Sequence, residues 1–214
     1  MLQCTGDNVN ESGDWRRDSG NPRPEPALGL LVSEDLEISV PVESDSEELF
    51  SVIDGNRDYL REWLPWLDDV LSIDDEISMI RNFWNNGDDS VIYVIRLNGA
   101  IVGVVSLNWL DWNNRAFGLG YWVSEDWSGK GIATKSCSRL IDHCFSDLGL
   151  HRSVIEASVH NLPSRAIAEK LGMRLEGISK DREWLYDHFT DSVMYAITQP
   201  EWSAKVNDQS SLDP

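Results

Sequence analysis

The segment from Trp127 to Thr134 places Gly129 and Gly131 in a Gly-Lys-Gly turn, between an alternating strand-like run and an amphipathic helix-like run. The start of a helix carries backbone N–H groups without intrahelical acceptors, together with the positive end of the helix dipole. Glycines allow the preceding loop to fold tightly and let a phosphate approach the backbone. The segment therefore predicts a site for a phosphate-bearing ligand.

Two common nucleotide-binding motifs do not fit this loop. A dinucleotide fingerprint requires a third glycine at the position that Thr134 occupies. A P-loop requires Gly-Lys-Ser/Thr, whereas Lys130 precedes Gly131 here. An ordinary loop before a helix remains the competing interpretation, so residues elsewhere in the chain have to decide.

A second group of candidate residues follows about 30 residues downstream, where Asn161 and Ser164 lie between a strand-like run and a helix-like run. An Asn in this position is ordinarily a turn or cap residue. The cysteines, Cys4, Cys137 and Cys144, fit neither a disulfide framework nor a metal-binding spacing. We therefore expect no metal, and we expect the two helical cysteines to pack in the core.

Taken in order, these segments resemble the GNAT superfamily of N-acetyltransferases, and within it the RimJ/RimL branch of ribosomal-protein N-terminal serine/alanine acetyltransferases. The resemblance extends over about residues 34–199. It is carried by REWLPWL from Arg61, GYWV from Gly120, GKGIAT from Gly129, Asn161-x-x-Ser164, LGMRLEG from Leu171 and REW from Arg182.

The resemblance implies that acetyl-CoA is the co-substrate, with its pyrophosphate on the backbone amides of residues 128–133. It also implies that the pantetheine lies between two splayed strands, residues 117–123 and 152–159, whose open edges offer unpaired backbone groups. Asn161 would bond the pantetheine, and the Val123 backbone would hold the thioester carbonyl. The implied cofactor-binding residues are Trp122, Val123, Ser128, Gly129, Lys130, Gly131, Ile132, Ala133 and Asn161.

Acetyl transfer to an amine needs a base for the ammonium and a proton donor for the leaving thiolate. Many GNAT enzymes use a Tyr seven residues after the Asn as that donor, but this position is Ala168 here. The RimL-type resemblance implies instead that Ser164 is the donor and Glu183 the base. His160 and His188 are alternative bases, since an unperturbed imidazole titrates near neutral pH.

Four tryptophans, Trp63, Trp66, Trp109 and Trp112, are the candidate acceptor-binding residues. The resemblance implies that the first helical segment and the hairpin cover the acceptor site. Aromatic walls suit a cationic amine or a peptide N-terminus. Core packing is the competing interpretation for each tryptophan.

The chain has 214 residues and a formal net charge of −19, which argues against nucleic-acid binding. Residues 130–182 differ from the rest, with nine basic and six acidic side chains, and this local balance suits an anionic cofactor. The sequence contains no apolar run of about 18 residues and no apolar segment near its N-terminus. We expect a cytoplasmic protein without a membrane partner.

The periodicity predicts an α+β domain: a strand, three helices, three antiparallel strands, a helix, a strand, a helix and two final strands. The predicted helices cover residues 44–54, 57–66, 73–85, 132–148 and 163–171, and Asn98-Gly99 predicts a hairpin. The resemblance implies a single GNAT-like domain whose mixed, mostly antiparallel sheet is splayed at a central strand pair, with helices on both faces. We expect a disordered tail at residues 1–27, the domain at 28–199 and a polar tail at 200–214.

Three functions remain open on the sequence alone. The first is direct transfer of acetyl from acetyl-CoA to a protein N-terminal α-amine, as in ribosomal-protein-serine acetylation. The second is acetylation of a small amine such as a polyamine, an aminoglycoside or an amino-acid-like compound. The third is a non-catalytic module that binds CoA, which the absent tyrosine keeps in consideration. Enzymes of the RimL branch are often dimers, so a homodimer is also open.

Overall fold

The computed structural model describes residues 23–85 and 90–210, which form one sheet of eight strands with helices on both faces. The strands are β1 (Gly29–Ser33), β2 (Leu36–Ser39), β3 (Val91–Leu97), β4 (Ala100–Asp111), β5 (Ala116–Val123), β6 (Arg152–Ser158), β7 (Arg174–Leu185) and β8 (His188–Thr198). The α-helices are α1 (Ser46–Gly55), α2 (Arg57–Arg61), α3 (Ile73–Asn85), α4 (Ile132–Ser146), α5 (Leu162–Lys170) and α6 (Gln199–Ser210).

The sheet has the order β1-β2-β3-β4-β5-β6-β8-β7, and its one parallel pair among the described strands is β5 with β6. This parallel ladder runs only from Ala116–Arg152 to Leu119–Ile155. Beyond it, the last residues of β5 and β6 have no register with each other. The predicted α+β fold, with a mostly antiparallel sheet splayed at a central strand pair, is confirmed.

Two apolar clusters pack on opposite faces of the sheet. The larger one places α4, including Leu140 and Ile141, against the sheet, and it contains the buried thiols of Cys137 and Cys144. Burial raises the pKa of both thiols. The smaller cluster joins α1, α2 and the short 3₁₀ turn after them to the other face, through side chains such as Leu67. Helices therefore cover both faces of the sheet on which the site forms.

The chain termini differ from the sequence-based expectation. The sequence predicts a polar tail at residues 200–214, but residues up to 210 continue from β8 as α6. Trp202 is the reason, because its ring is buried against Phe145 and its indole N–H donates to Asp142 Oδ1 at 2.6 Å. Of the expected N-terminal tail, residues 1–22 lie outside the described residues. The backbone N–H of Ala27 already donates to His143 Nε2 of α4.

We expect Trp202→Ala to lower the free energy of unfolding by about 3–5 kcal/mol, because it empties a buried aromatic site and leaves Asp142 without its donor. Urea unfolding followed by circular dichroism measures this change. Asp208→Ala, on the exposed side of α6, is the matched control and should change stability little. Equal effects of the two substitutions would show that α6 is not part of the cooperative domain.

Candidate active site

The Gly-Lys-Gly turn directly precedes α4, as the sequence predicts. Gly129 and Gly131 have φ angles of 72° and 80°, in the left-handed region that side chains with a Cβ rarely adopt. A Cβ built on either glycine would meet no heavy atom within 4 Å, so these glycines are required by backbone conformation and not by crowding. Lys130 lies 4.3 Å above the ring of Trp127. The turn thus offers open space beside the free N–H groups of the first turn of α4, which fits a phosphate.

Asn161 and Ser164 lie directly after β6 at the start of α5. Asn161 is the N-cap of that helix, and its Oδ1 accepts a hydrogen bond from the backbone N–H of Ser164 at 3.0 Å. The cap function therefore uses one atom of the amide, which leaves Nδ2 as a donor for a ligand in the cleft. On the facing strand, Val123 pairs with Gly103 of β4.

Tyr121 bridges the two sides of the splayed cleft. Its hydroxyl lies 3.0 Å from Ser164 Oγ and donates to the Ser164 carbonyl oxygen at 2.9 Å. Burial raises the pKa of Tyr121, so the phenol stays protonated. Because the phenol donates its one proton to the Ser164 carbonyl, the Ser164 hydroxyl is the member of this pair that can donate to another group.

Glu183 of β7 lines a cavity of about 300 Å³ on the face of the sheet that carries α1. Partial burial raises the pKa of Glu183, and the neighbouring carboxylate of Glu156 raises it further, while Arg182 lowers it. Arg182 forms an ion pair with Glu156 at 3.2 Å. A carboxylate with a raised pKa is a better proton acceptor for an ammonium than an ordinary glutamate.

A larger cavity, of about 780 Å³, adjoins this one on the same face. Asn108 of β4 lines both cavities. The larger cavity is walled by α1, α3 and the sheet, and it reaches the end of the parallel ladder at Gly120, Tyr121 and Trp122. The two cavities together therefore border the point where β5 and β6 separate.

The four candidate tryptophans do not share one location. Trp66 lines the larger cavity, and Trp109 lines the smaller one, where its ring lies directly over Gly118. Trp63 is half-buried and lines neither cavity. Trp112 is buried in the larger apolar cluster, so its assignment to the acceptor site is corrected.

The physical reason is a bulge in β4. The register of β4 against β5 shifts between Leu107 and Trp109, so one extra residue, Asn108, reverses the alternation of side chains. Before the bulge, Leu107 faces the core; after it, Leu110 and Trp112 do. Strict alternation from the sequence would have assigned these positions to the opposite faces.

The two histidines considered as alternative bases lie outside both cavities. His188 is exposed and its Nδ1 lies 2.7 Å from Asp187 Oδ1. His160 is exposed at the end of β6. Neither is placed to take a proton in the cleft.

Three further residues of this region, Tyr121, Asn108 and Glu156, are not among the site residues that the sequence predicts. Tyr121 lies within the GYWV segment from Gly120, and its position in an alternating strand, opposite in phase to Trp122, is the signal that could have identified it. The contacts of Asn108 and Glu156 depend on the bulge and on the pairing of β6, which local sequence does not encode. Within residues 23–85 and 90–210, no group of three or more His, Cys, Asp or Glu side chains is arranged for a metal. No helix in that part of the chain is both long and apolar enough to cross a membrane.

Comparison with known proteins identifies the family to which this chain belongs. The family model described as an acetyltransferase (GNAT) domain matches residues 35–174. The chain is 30% identical to the ribosomal-protein-serine acetyltransferase of Escherichia coli (strain K12), over 78% of this chain and 94% of that protein.

Two solved structures share the fold. One is RimL, a ribosomal L7/L12 α-N-protein acetyltransferase in complex with coenzyme A, with 28% identity, a TM-score of 0.76 and coverage of 79% of this chain and 97% of that one. The other is the microcin C7 self-immunity acetyltransferase MccE in complex with acetyl-CoA and AMP, with 30% identity, a TM-score of 0.76 and coverage of 81% and 97%.

Proposed function

The chain belongs to the GNAT acetyltransferase family and is an acetyl-CoA-dependent N-acetyltransferase, and on this premise we propose that its acceptor is the α-amine of a protein N-terminus, of the ribosomal-protein-serine type. We propose the cytoplasm as the site of this reaction. The observation that carries the proposal is the end of the β5–β6 ladder, where Leu119 and Ala157 line the cavity that also holds Glu183. The names of the relatives support the ribosomal substrate.

The proposed binding roles follow the geometry of the cleft. When bound, acetyl-CoA supplies the activated acetyl group as a thioester. The N–H groups of residues 128–133 bind its pyrophosphate, with help from the dipole of α4. Asn161 donates from Nδ2 to the pantetheine, and the Val123 backbone orients the thioester beside Trp122.

The proposed chemical roles divide between the two sides of the sheet. Glu183 accepts the proton of the acceptor ammonium, which frees the nitrogen lone pair to attack the acetyl carbon in direct transfer. Ser164, hydrogen-bonded to Tyr121, donates a proton toward the departing thiolate. Trp109 and Trp66 form aromatic walls for the acceptor.

A small amine is the second candidate acceptor. It is favoured by the likeness to MccE and by the cavity of about 780 Å³, which is large enough for a whole small molecule. The two candidates differ in what the enzyme contacts beyond the reacting amine, a peptide backbone in one and a compact molecule in the other.

The proposed acceptor is tested by measuring CoA thiol release with acetyl-CoA and either a Ser-starting peptide or spermidine. We expect kcat/KM to be higher for the peptide by about tenfold or more, because an enzyme selects substrates through contacts beyond the reacting group. Mass spectrometry of the peptide product should place the acetyl group on the α-amine. Preference for spermidine would contradict the protein-substrate proposal and favour the small-molecule one.

A further inference from the structure

Glu76, in the first turn of α3, is a buried carboxyl group that the proposed reaction does not use. Its side chain lines the larger cavity, and the residue is only 3% exposed. Its Oε2 atom has no hydrogen-bond partner among the described residues. A buried carboxyl oxygen without a partner costs free energy of folding. A hydrogen-bond donor that binds to it is therefore expected to gain a large binding free energy.

The cavity around Glu76 favours a cation with an apolar stem. Its walls are largely aliphatic and aromatic, and none of the described residues that line it is Lys, Arg or His. Trp66 and Trp122 also line the cavity, and aromatic rings stabilise an ammonium. Burial raises the pKa of Glu76 to about 7, so a bound cation would also favour the ionised carboxylate.

Glu76 and the proposed base, Glu183, line different cavities that meet at Asn108. The two carboxylates therefore cannot both bind the same nitrogen atom of an acceptor. An acceptor that reaches both must carry its reacting amine toward Glu183 and a second positive charge toward Glu76.

We propose that Glu76 binds a second cationic group of the acceptor, an ammonium on an aliphatic stem, and so selects acceptors that carry two positive charges. This inference rests on the proposed function and deepens it. Two sources share the required chemistry: a lysine side chain next to a peptide N-terminus, and the distal amine of a polyamine. The experiment separates them by using both.

The test compares wild-type protein with Glu76→Gln on matched acceptor pairs. One pair is a Ser-Lys peptide and a Ser-norleucine peptide of otherwise equal sequence; the other is spermidine and butylamine. In the pair that is turned over, we expect Glu76→Gln to raise KM about tenfold for the member with more than one cationic group, and to leave KM for the monocationic member unchanged. Glu76→Asp, which keeps the charge, should restore part of the discrimination.

Glu25→Gln is the charge-matched control, because Glu25 lines the same cavity but is exposed. It should have a smaller effect than Glu76→Gln.

Equal changes in KM for both members of a pair would overturn the inference, and so would a wild-type enzyme that does not distinguish them. Turnover of spermidine but of neither peptide would contradict the protein-substrate proposal. The role of Glu76 would then be tested by the KM values for spermidine and butylamine. Turnover of both peptides alike would leave the proposed function standing and remove the role of Glu76.

Discussion

Replacing Glu183 with Gln is expected to lower kcat by about 10²–10⁴-fold, the range that a positioned general base contributes. The substitution preserves the size of the side chain in its cavity but removes the site that accepts the ammonium proton. The KM for acetyl-CoA should stay close to the wild-type value, because the proposed cofactor-binding residues lie on β5, in the turn before α4, at the start of α4 and at the N-cap of α5. Steady-state kinetics with varied acetyl-CoA and varied acceptor separate the two effects.

The pH profile provides a second readout of the same substitution. Burial and the nearby Glu156 raise the pKa of Glu183, so the carboxylate loses its charge at a higher pH than an ordinary glutamate. Wild-type kcat should therefore fall as the pH drops through that raised pKa, and this acidic limb should be absent in Glu183→Gln. Rising activity toward acidic pH would have the wrong sign for a carboxylate base.

Glu156→Gln is the matched control for Glu183→Gln. Glu156 lines the same cavity and is paired with Arg182, so its loss removes the same charge without removing the proposed base. We expect a small change in kcat and a shift of the acidic limb to lower pH, because Glu156 raises the pKa of Glu183. If Glu183→Gln retained turnover over the whole pH range, Glu183 would not be the base.

The second large effect is expected from the double substitution Gly129→Ala/Gly131→Ala, which should raise KM for acetyl-CoA at least about tenfold. Each alanine would have to adopt a left-handed conformation at a cost of roughly 1–2 kcal/mol. The loop would relieve this strain by moving, and its N–H groups would then point away from the pyrophosphate. Isothermal titration with CoA measures the loss of affinity directly.

Two other glycines supply the control for this effect. Gly55 and Gly177 also have open space around a built Cβ, but their φ angles are not in the left-handed region. The double substitution Gly55→Ala/Gly177→Ala should leave CoA affinity unchanged. A similar loss in both double variants would mean that the conformation of the Gly-Lys-Gly turn does not determine cofactor binding.

Local sequence was sufficient for the parts of the fold that depend on neighbouring residues. The amphipathic spacing of Ile73, Ile77 and Ile80 predicted α3 with the bounds that the structure shows, and Asn98-Gly99 predicted the turn between β3 and β4. The Gly-Lys-Gly turn was placed correctly before α4 because glycine conformation and helix start signals are both local. The resemblance supplied the splay of β5 and β6, which periodicity alone cannot predict.

The features that the sequence did not predict depend on long-range packing. The resemblance assigned Trp112 to the acceptor site, whereas the bulge at Asn108, which reverses the faces of β4 and arises from pairing with β5, directs Trp112 into the core. The chain after residue 199 has a polar composition, yet a single buried tryptophan fixes it as a helix. Glu76 had no distinguishing signal, since it lies among acidic residues typical of the first turn of a helix.

The short ladder between β5 and β6 has a consequence for protein turnover. Within the sheet, strands β1–β5 and β6–β8 are joined by four residue pairs, and Tyr121 and Ser164 connect them beyond that ladder. Acetyl-CoA bound at the proposed site would contact both halves and only the folded chain, so it would raise the free energy of unfolding in proportion to the logarithm of its concentration above Kd. We therefore expect a fall in acetyl-CoA supply both to slow the reaction and to shorten the lifetime of the enzyme, because the unfolded chain is the form that proteases degrade.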